Sequence, residues 1–167
     1  ADSKGILAID ESHGTCKKRF DALNIDVTEE NRRSYRDMLV SANSLSDYIS
    51  GAILFDETIR QKTSDGSTFP DYLDKVGIIP GIKVDAGAKP FSSHPNEKIT
   101  EGLDNLTERM EEYSSLGAKF AKWRAVITIG ENIPSSACML ANSHALARYA
   151  SICQEINIVP IVEPEVL

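Results

Sequence analysis

The residues with the most chemistry to offer are charges set at the ends of apolar runs. Asp10 and Glu11 follow GILAI, Asp56 and Glu57 straddle the end of GAILFD, and Lys83 and Asp85 close IIPGIKVD. Lys122 and Arg124 interrupt FAKWRAVI, and Glu163 and Glu165 close NIVPIVEPE. Successive strand side chains point to opposite faces, so Lys83 with Asp85, Lys122 with Arg124, and Glu163 with Glu165 each share a face in a regular strand. Burying Lys122 and Arg124 without acidic partners would cost several kcal/mol. Glu163, Glu165, Asp10 and Asp85 are the obvious partners. A mixed-sign polar cluster shifts proton affinities in both directions and suits general acid–base chemistry. Any one pair is read equally well as an exposed strand end; the repetition of the pattern along the chain points to a shared site.

A second group follows the first apolar run, where Asp10-Glu11-Ser12-His13-Gly14-Thr15 leads into Cys16-Lys17-Lys18-Arg19-Phe20. The hydroxyls of Ser12 and Thr15, a glycine, a helix start and the cations Lys18 and Arg19 suit a bound phosphate group. A Ser or Thr before a helix is also an ordinary N-cap. Neither a Walker A nor a G-x-G-x-x-G pattern argues for a nucleotide. His13, His94 and His144 share no metal-ligand spacing, so no metal site is assigned to them.

The elements that must position these residues alternate short β-branched runs with segments of helical period, the pattern of parallel strands joined by crossover helices. Strands are expected over 5–10, 51–56, 78–85, 120–127 and 157–163. A helix opens at Thr28 with Glu29 and Glu30 in its first turn and Tyr35, Met38, Leu39 and Ala42 at apolar spacing. Others are expected over 101–116, with Leu103, Leu106, Met110, Tyr113 and Leu116 on one face and Gly117 as C-cap, and over 135–155, with Met139, Leu146, Ala150 and Cys153 on one stripe. Segments 63–68 and 86–97 read as loops, the second long enough to be a functional βα loop.

The 167 residues, 41% hydrophobic and 26% charged, describe a globular chain of one domain, 1–167, with a real core. A net charge of -7 argues against a nucleic-acid partner held by a broad basic surface, while leaving a small phosphorylated substrate open. The chain has no apolar run of about 18 residues, which argues against a membrane span. Three cysteines without C-x-x-C spacing read as small buried hydrophobes in a reduced compartment. If the strands belong to a (β/α)8 barrel, the strand-end charges converge at its C-terminal mouth, where barrel enzymes build their active sites. A complete barrel takes about 250 residues, so the expectation is a partial TIM barrel of the first five β/α units. A five-stranded doubly wound domain fits the length as well.

The blocks ILAIDES, GT, KRF, TEENRRSYR, ISGAILFDET, GIKVD, EGLDNL, GAKFAKWR, LARYASICQ and IVPIVEPE resemble, in order, class I fructose-bisphosphate aldolases. FAKWR, IVPIVEPE and GIKVD are the most specific of them. Ile9 and His13 depart from the alanine and threonine common there. The resemblance implies a lyase of glycolysis that cleaves fructose 1,6-bisphosphate reversibly into dihydroxyacetone phosphate and glyceraldehyde 3-phosphate. The chemistry runs through a lysine Schiff base and needs neither metal nor cofactor. The resemblance assigns Asp10 the C4-hydroxyl proton, Glu163 the acid–base work of Schiff-base formation, and Lys122 the task of keeping the nucleophilic amine neutral. Arg124 and Glu165 line the same site, and Ser12, Thr15 and Lys83 belong to the 6-phosphate pocket. It also implies a cytoplasmic homotetramer for the full-length protein. The Schiff-base lysine and the 1-phosphate site fall on later elements, so a polypeptide ending at Leu167 is expected to be inactive.

Two competing readings stay open on sequence alone. One is a metal-dependent barrel with Asp85, Glu163 and Glu165 holding Mg²⁺ and Lys122 as base. The other is a non-enzymatic interaction piece whose acidic strand ends are unused.

Overall fold

The computed structural model describes residues 3–167. The described residues divide into two compact units, 3–83 with Ser115–Lys119, and Val84–Ser114 with Phe120–Leu167.

The first unit is built on three parallel strands. β1 (Gly5–Ala8) is followed by α1 (His13–Asp21), α2 (Glu29–Val40) and α3 (Leu45–Tyr48) before β2 (Ile49–Leu54). Then come α4 (Asp56–Ile59), α5 (Phe69–Lys75) and β3 (Ile79–Lys83). Ile6 pairs with Gly51 and Ala8 with Ile53, while Gly51 pairs with Ile79 and Leu54 with Ile82. Ser12, Thr28 and Thr68 each cap the helix they precede, their hydroxyls accepting the amides of Thr15, Asn31 and Asp71. Ala52, Leu54, Ile59, Phe69, Leu73 and Ile82 are buried and form this unit's apolar interior.

The second unit begins with an antiparallel pair, β4 (Ala88–Pro90) and β5 (Lys98–Thr100), and continues through α6 (Leu106–Ser115), β6 (Phe120–Ile127), α7 (Ser136–Glu155) and β7 (Val159–Val166). β6 and β7 run parallel in unbroken register from Phe120 opposite Val159 to Ile127 opposite Val166. α7 packs against both strands: Trp123 of β6 meets Tyr149 at 5.5 Å between ring centroids, and the Tyr149 hydroxyl donates to Ile161 O at 3.3 Å. Both aromatic residues are fully buried.

All five expected strands form; Phe120–Ile127 has the expected bounds, the other four differ in their ends, and the β4–β5 hairpin was not expected. The second strand lies over Ile49–Leu54 instead of 51–56, because Asp56 and Glu57 open α4, where carboxylates favour the amide-rich first turn. β1 and β3 stop at Ala8 and Lys83, short of Asp10 and Asp85, whereas β7 runs past Glu163 to Val166. The helix expected from residue 101 starts only at Leu106, since Gly102 (φ +129°) and Asn105 (φ +51°) are left-handed. Gly102 has no alternative residue: a Cβ there would sit 2.8 Å from the Ala86 amide nitrogen. Segment 86–97 is not simply a loop, because it supplies β4 of the hairpin; a three-residue strand is too short to show alternation.

Two helix faces also differ. On α2 the buried residues are Arg36, Asp37 and Val40, while Met38 is 61% exposed. On α7 the buried stripe is Cys138, Asn142, Ala145, Leu146, Tyr149 and Cys153, with Met139 displaced to the rim. In both, a buried polar side chain with backbone partners takes a place that apolarity alone would give to methionine. Asn142 accepts from the Thr100 amide at 3.2 Å and donates to Lys98 O at 3.0 Å, tying α7 to the hairpin. Among the described residues, no helix is long and apolar enough to cross a membrane.

Candidate functional site

The chemistry-bearing side chains gather into one cluster in each unit. In the first, the chain leaves β1 and carries Asp10, nearly buried at 9% exposure, and Glu11 toward the capped start of α1. Ser12 Oγ lies 3.2 Å from Thr15 Oγ1, so the two hydroxyls expected to meet a phosphate are brought together at a helix N-terminus. Lys18 is exposed on α1. Arg19 is already engaged: one nitrogen pairs with the Glu11 carboxylate and donates to the Tyr35 hydroxyl at 2.9 Å, and that hydroxyl donates to Glu11 Oε1 at 3.1 Å. Burial and the Glu11 charge push the Tyr35 phenol above its ordinary range. Lys83, the last residue of β3, places Nζ 6.0 Å from the centre of the Phe55 ring.

Behind these residues lies an ionic group centred on Glu57. Arg32 donates to it twice, Nε to Oε1 at 2.8 Å and Nη2 to Oε2 at 2.6 Å. His13 Nε2 sits 3.0 Å from Oε2, and Arg36 Nη1 lies 3.6 Å from Oε1. The Arg32 hydrogen bonds hold the Glu57 carboxyl below the ordinary carboxylate range against the opposing pull of burial. The sequence reading places Tyr35 on the apolar face of this helix and gives Arg32 and Arg36 no role, although all three stand in TEENRRSYR. His13 is the first residue of α1.

In the second unit, β6 and β7 align Lys122 opposite Ile161 and Arg124 opposite Glu163. Each cation reaches the carboxylate two residues beyond its register partner. Lys122 Nζ lies 3.8 Å from Glu163 Oε2, and Arg124 Nε donates to Glu165. The Arg124 hydrogen bond keeps the Glu165 carboxyl below its usual range, and Glu165 raises the Arg124 guanidinium in turn. Glu163 Oε2 is a buried atom with no hydrogen-bond partner among the described residues, an acceptor positioned beside a cation and left open. Asp85 accepts the Gly87 amide through Oδ1 at 3.0 Å and the Arg124 amide through Oδ2 at 3.3 Å. Asp85 was expected on a common strand face with Lys83; β3 ends before it, and Asp85 instead braces the backbone of β6.

Lys122, Arg124, Glu163 and Glu165 are therefore brought together as the strand alternation implied. Asp85, Glu163 and Glu165 do not gather as a ligand set: among the described residues, no group of three or more His, Cys, Asp or Glu is placed to hold a metal ion.

A family model described as "Glycolytic: Fructose-bisphosphate aldolase class-I" matches residues 1–167. A probable fructose-bisphosphate aldolase class 1 of Xanthomonas campestris pv. campestris is 64% identical over 167 residues, covering 100% of this chain and 50% of the relative. The fructose-bisphosphate aldolase of Schistosoma mansoni is 54% identical over 168 residues, covering 100% and 46%. The structure of fructose-bisphosphate aldolase from Plasmodium falciparum, in complex with TRAP and a small-molecule inhibitor, superposes with a TM-score of 0.96 at 50% identity, covering 100% of this chain and 49% of that one. The chain thus has the fold of a partial (β/α)8 barrel and spans about half the length of the curated relatives it matches. It belongs to the class I fructose-bisphosphate aldolase family.

Proposed function

We propose that residues 1–167 form a single incomplete barrel domain of a fructose-1,6-bisphosphate aldolase acting in glycolysis and gluconeogenesis. The single observation that carries the reading best is the open, buried Glu163 Oε2 beside Lys122. A carboxylate with an unused oxygen can exchange a proton with a reacting group, and a neighbouring ammonium favours keeping a second amine nearby uncharged.

In the proposed reaction a lysine amine attacks the substrate ketone, and loss of water leaves an iminium. Glu163 shuttles the protons of that addition and dehydration. Asp10 then takes the C4-hydroxyl proton as the C3–C4 bond breaks, and the bonding pair passes into the iminium to give an enamine. Glyceraldehyde 3-phosphate leaves first. Protonation of the enamine and hydrolysis release dihydroxyacetone phosphate, and the reverse steps condense the two. Ser12, Thr15 and Lys83, with Lys18 and Arg19, bind the 6-phosphate, while Arg124 and Glu165 line the site and orient its charges. Arg19 serves from within its pairing with Glu11 and Tyr35, so it offers the phosphate its remaining N–H groups.

The Schiff-base lysine and the 1-phosphate site lie outside residues 1–167 in this proposal, so a polypeptide of these residues alone has no aldolase activity. The full-length protein is a cytoplasmic homotetramer. The test is a coupled cleavage assay on the full-length protein carrying this sequence, beside residues 1–167 alone. Turnover of fructose 1,6-bisphosphate by the former only is the predicted result; turnover by neither rejects the proposal.

A further inference from the structure

The backbone that carries Asp10 has left the sheet before Asp10 is reached. β1 ends at Ala8, and the amide of Ile9 donates to Ile53 O at 3.1 Å. Regular structure resumes only with α1 at His13. Between these points the carbonyls on either side of Asp10 are held by one side chain from α2. Arg36 Nε donates to Ile9 O at 3.0 Å, and Arg36 Nη2 donates to Glu11 O at 2.6 Å. A guanidinium presents its donors in a fixed planar fork, so two carbonyls bound to it are fixed relative to each other. Their separation and direction set the backbone conformation at Asp10, and hence where its carboxylate points.

The clamp is built where water does not compete. Arg36 is 0% exposed, and burying a cation there requires compensation. Glu57 supplies it at 3.6 Å, its own carboxylate fixed by two hydrogen bonds from Arg32, and the Phe55 ring lies 5.6 Å from the Arg36 guanidinium carbon. An apolar residue would pack this face of α2 without a desolvation penalty. What an apolar residue could not do is hold both carbonyls.

We infer that Arg36 is a positioning residue for Asp10, fixing the carboxylate for proton removal from the substrate's C4 hydroxyl. The inference rests on the role proposed above for Asp10. Lysine at position 36 keeps the charge but offers a point donor in place of the fork, so it separates charge from geometry.

The test uses the full-length protein with R36K, D10N and the double variant. A misplaced catalytic group costs about 10²-fold, so R36K lowers kcat for fructose 1,6-bisphosphate cleavage by about that factor while KM changes less than about 3-fold. Borohydride trapping of dihydroxyacetone phosphate, which needs the amine and not Asp10, stays at the wild-type extent. Added to D10N, R36K lowers kcat by less than about 2-fold further, because the group it positions is already disabled. If R36K does not accumulate as soluble protein, E57Q, which removes the counter-charge of Arg36, goes through the same cycle with a smaller loss and the same masking by D10N. Full additivity of the losses, or a single-variant kcat within about 2-fold of wild type, overturns the positioning role. A wild-type protein that traps no adduct overturns the aldolase reading itself, and this inference with it.

Discussion

Lys122 Nζ stands 3.8 Å from Glu163 Oε2 across two neighbouring parallel strands, with the lysine side chain 13% exposed and the glutamate 36%. The cation is the deeper partner, and the separation is longer than a hydrogen bond, so the carboxylate oxygen feels the charge without being consumed by it. That balance distinguishes the pair from Arg124 and Glu165, whose direct hydrogen bond commits both groups to each other.

The two pairs should therefore respond differently to neutral substitution. On the roles proposed above, Glu163→Gln removes a group that moves protons, and is expected to lower kcat in the full-length protein by about 10²–10⁴-fold. Glu165→Gln removes an orienting contact and costs less, about 10-fold or below, since the amide can still accept from Arg124. Steady-state cleavage rates of the two variants check the order.

The Glu57 group predicts an acid-dependent stability. Its folded carboxyl titrates below the ordinary value of 4.5 because Arg32 hydrogen-bonds the charged form. Between the folded value and 4.5 the unfolded chain binds more protons than the folded one, so stability falls as pH falls through that window. Urea unfolding of wild type and Glu57→Gln should show a gap above pH 4.5 that closes on acidification. A gap independent of pH would remove the ionic account.

How legible this was in the sequence depends on what each residue is bonded to. Lys122, Arg124, Glu163 and Glu165 could be placed because strand alternation is a local rule and β6 and β7 obey it throughout. Arg36 could not, because its partners are the carbonyls of Ile9 and Glu11, which no residue type announces. Asp56 and Glu57 read as strand-end charges, yet they open α4; a four-residue helix leaves almost no periodic signal. The named reaction came from the resemblance, since charge pattern alone left a metal-dependent barrel open.

The three thiols should be slow to react. Cys16, Cys138 and Cys153 are buried, burial raises each thiol above its ordinary range, and Cys153 is pushed up to about 11. The thiolate is the reactive form, so alkylation at neutral pH should proceed only as fast as the chain opens. Mass-resolved iodoacetamide labelling with and without denaturant checks this.

Trp123 is the mechanical link between β6 and α7, fully buried and stacked at an angle on Tyr149. Trp123→Ala should cost about 3–5 kcal/mol in unfolding free energy, measured by urea denaturation. The same strand carries Lys122 and Arg124, so catalysis should fall with it even at temperatures where the variant stays folded.

The most direct test of the account is the covalent adduct. Full-length protein carrying this sequence is mixed with dihydroxyacetone phosphate in the presence of a chelator, reduced with borohydride, and its intact mass is measured. A mass increase of one reduced substrate per chain, with cleavage activity unaffected by the chelator, is the predicted result. No adduct, or activity abolished by the chelator, would contradict it.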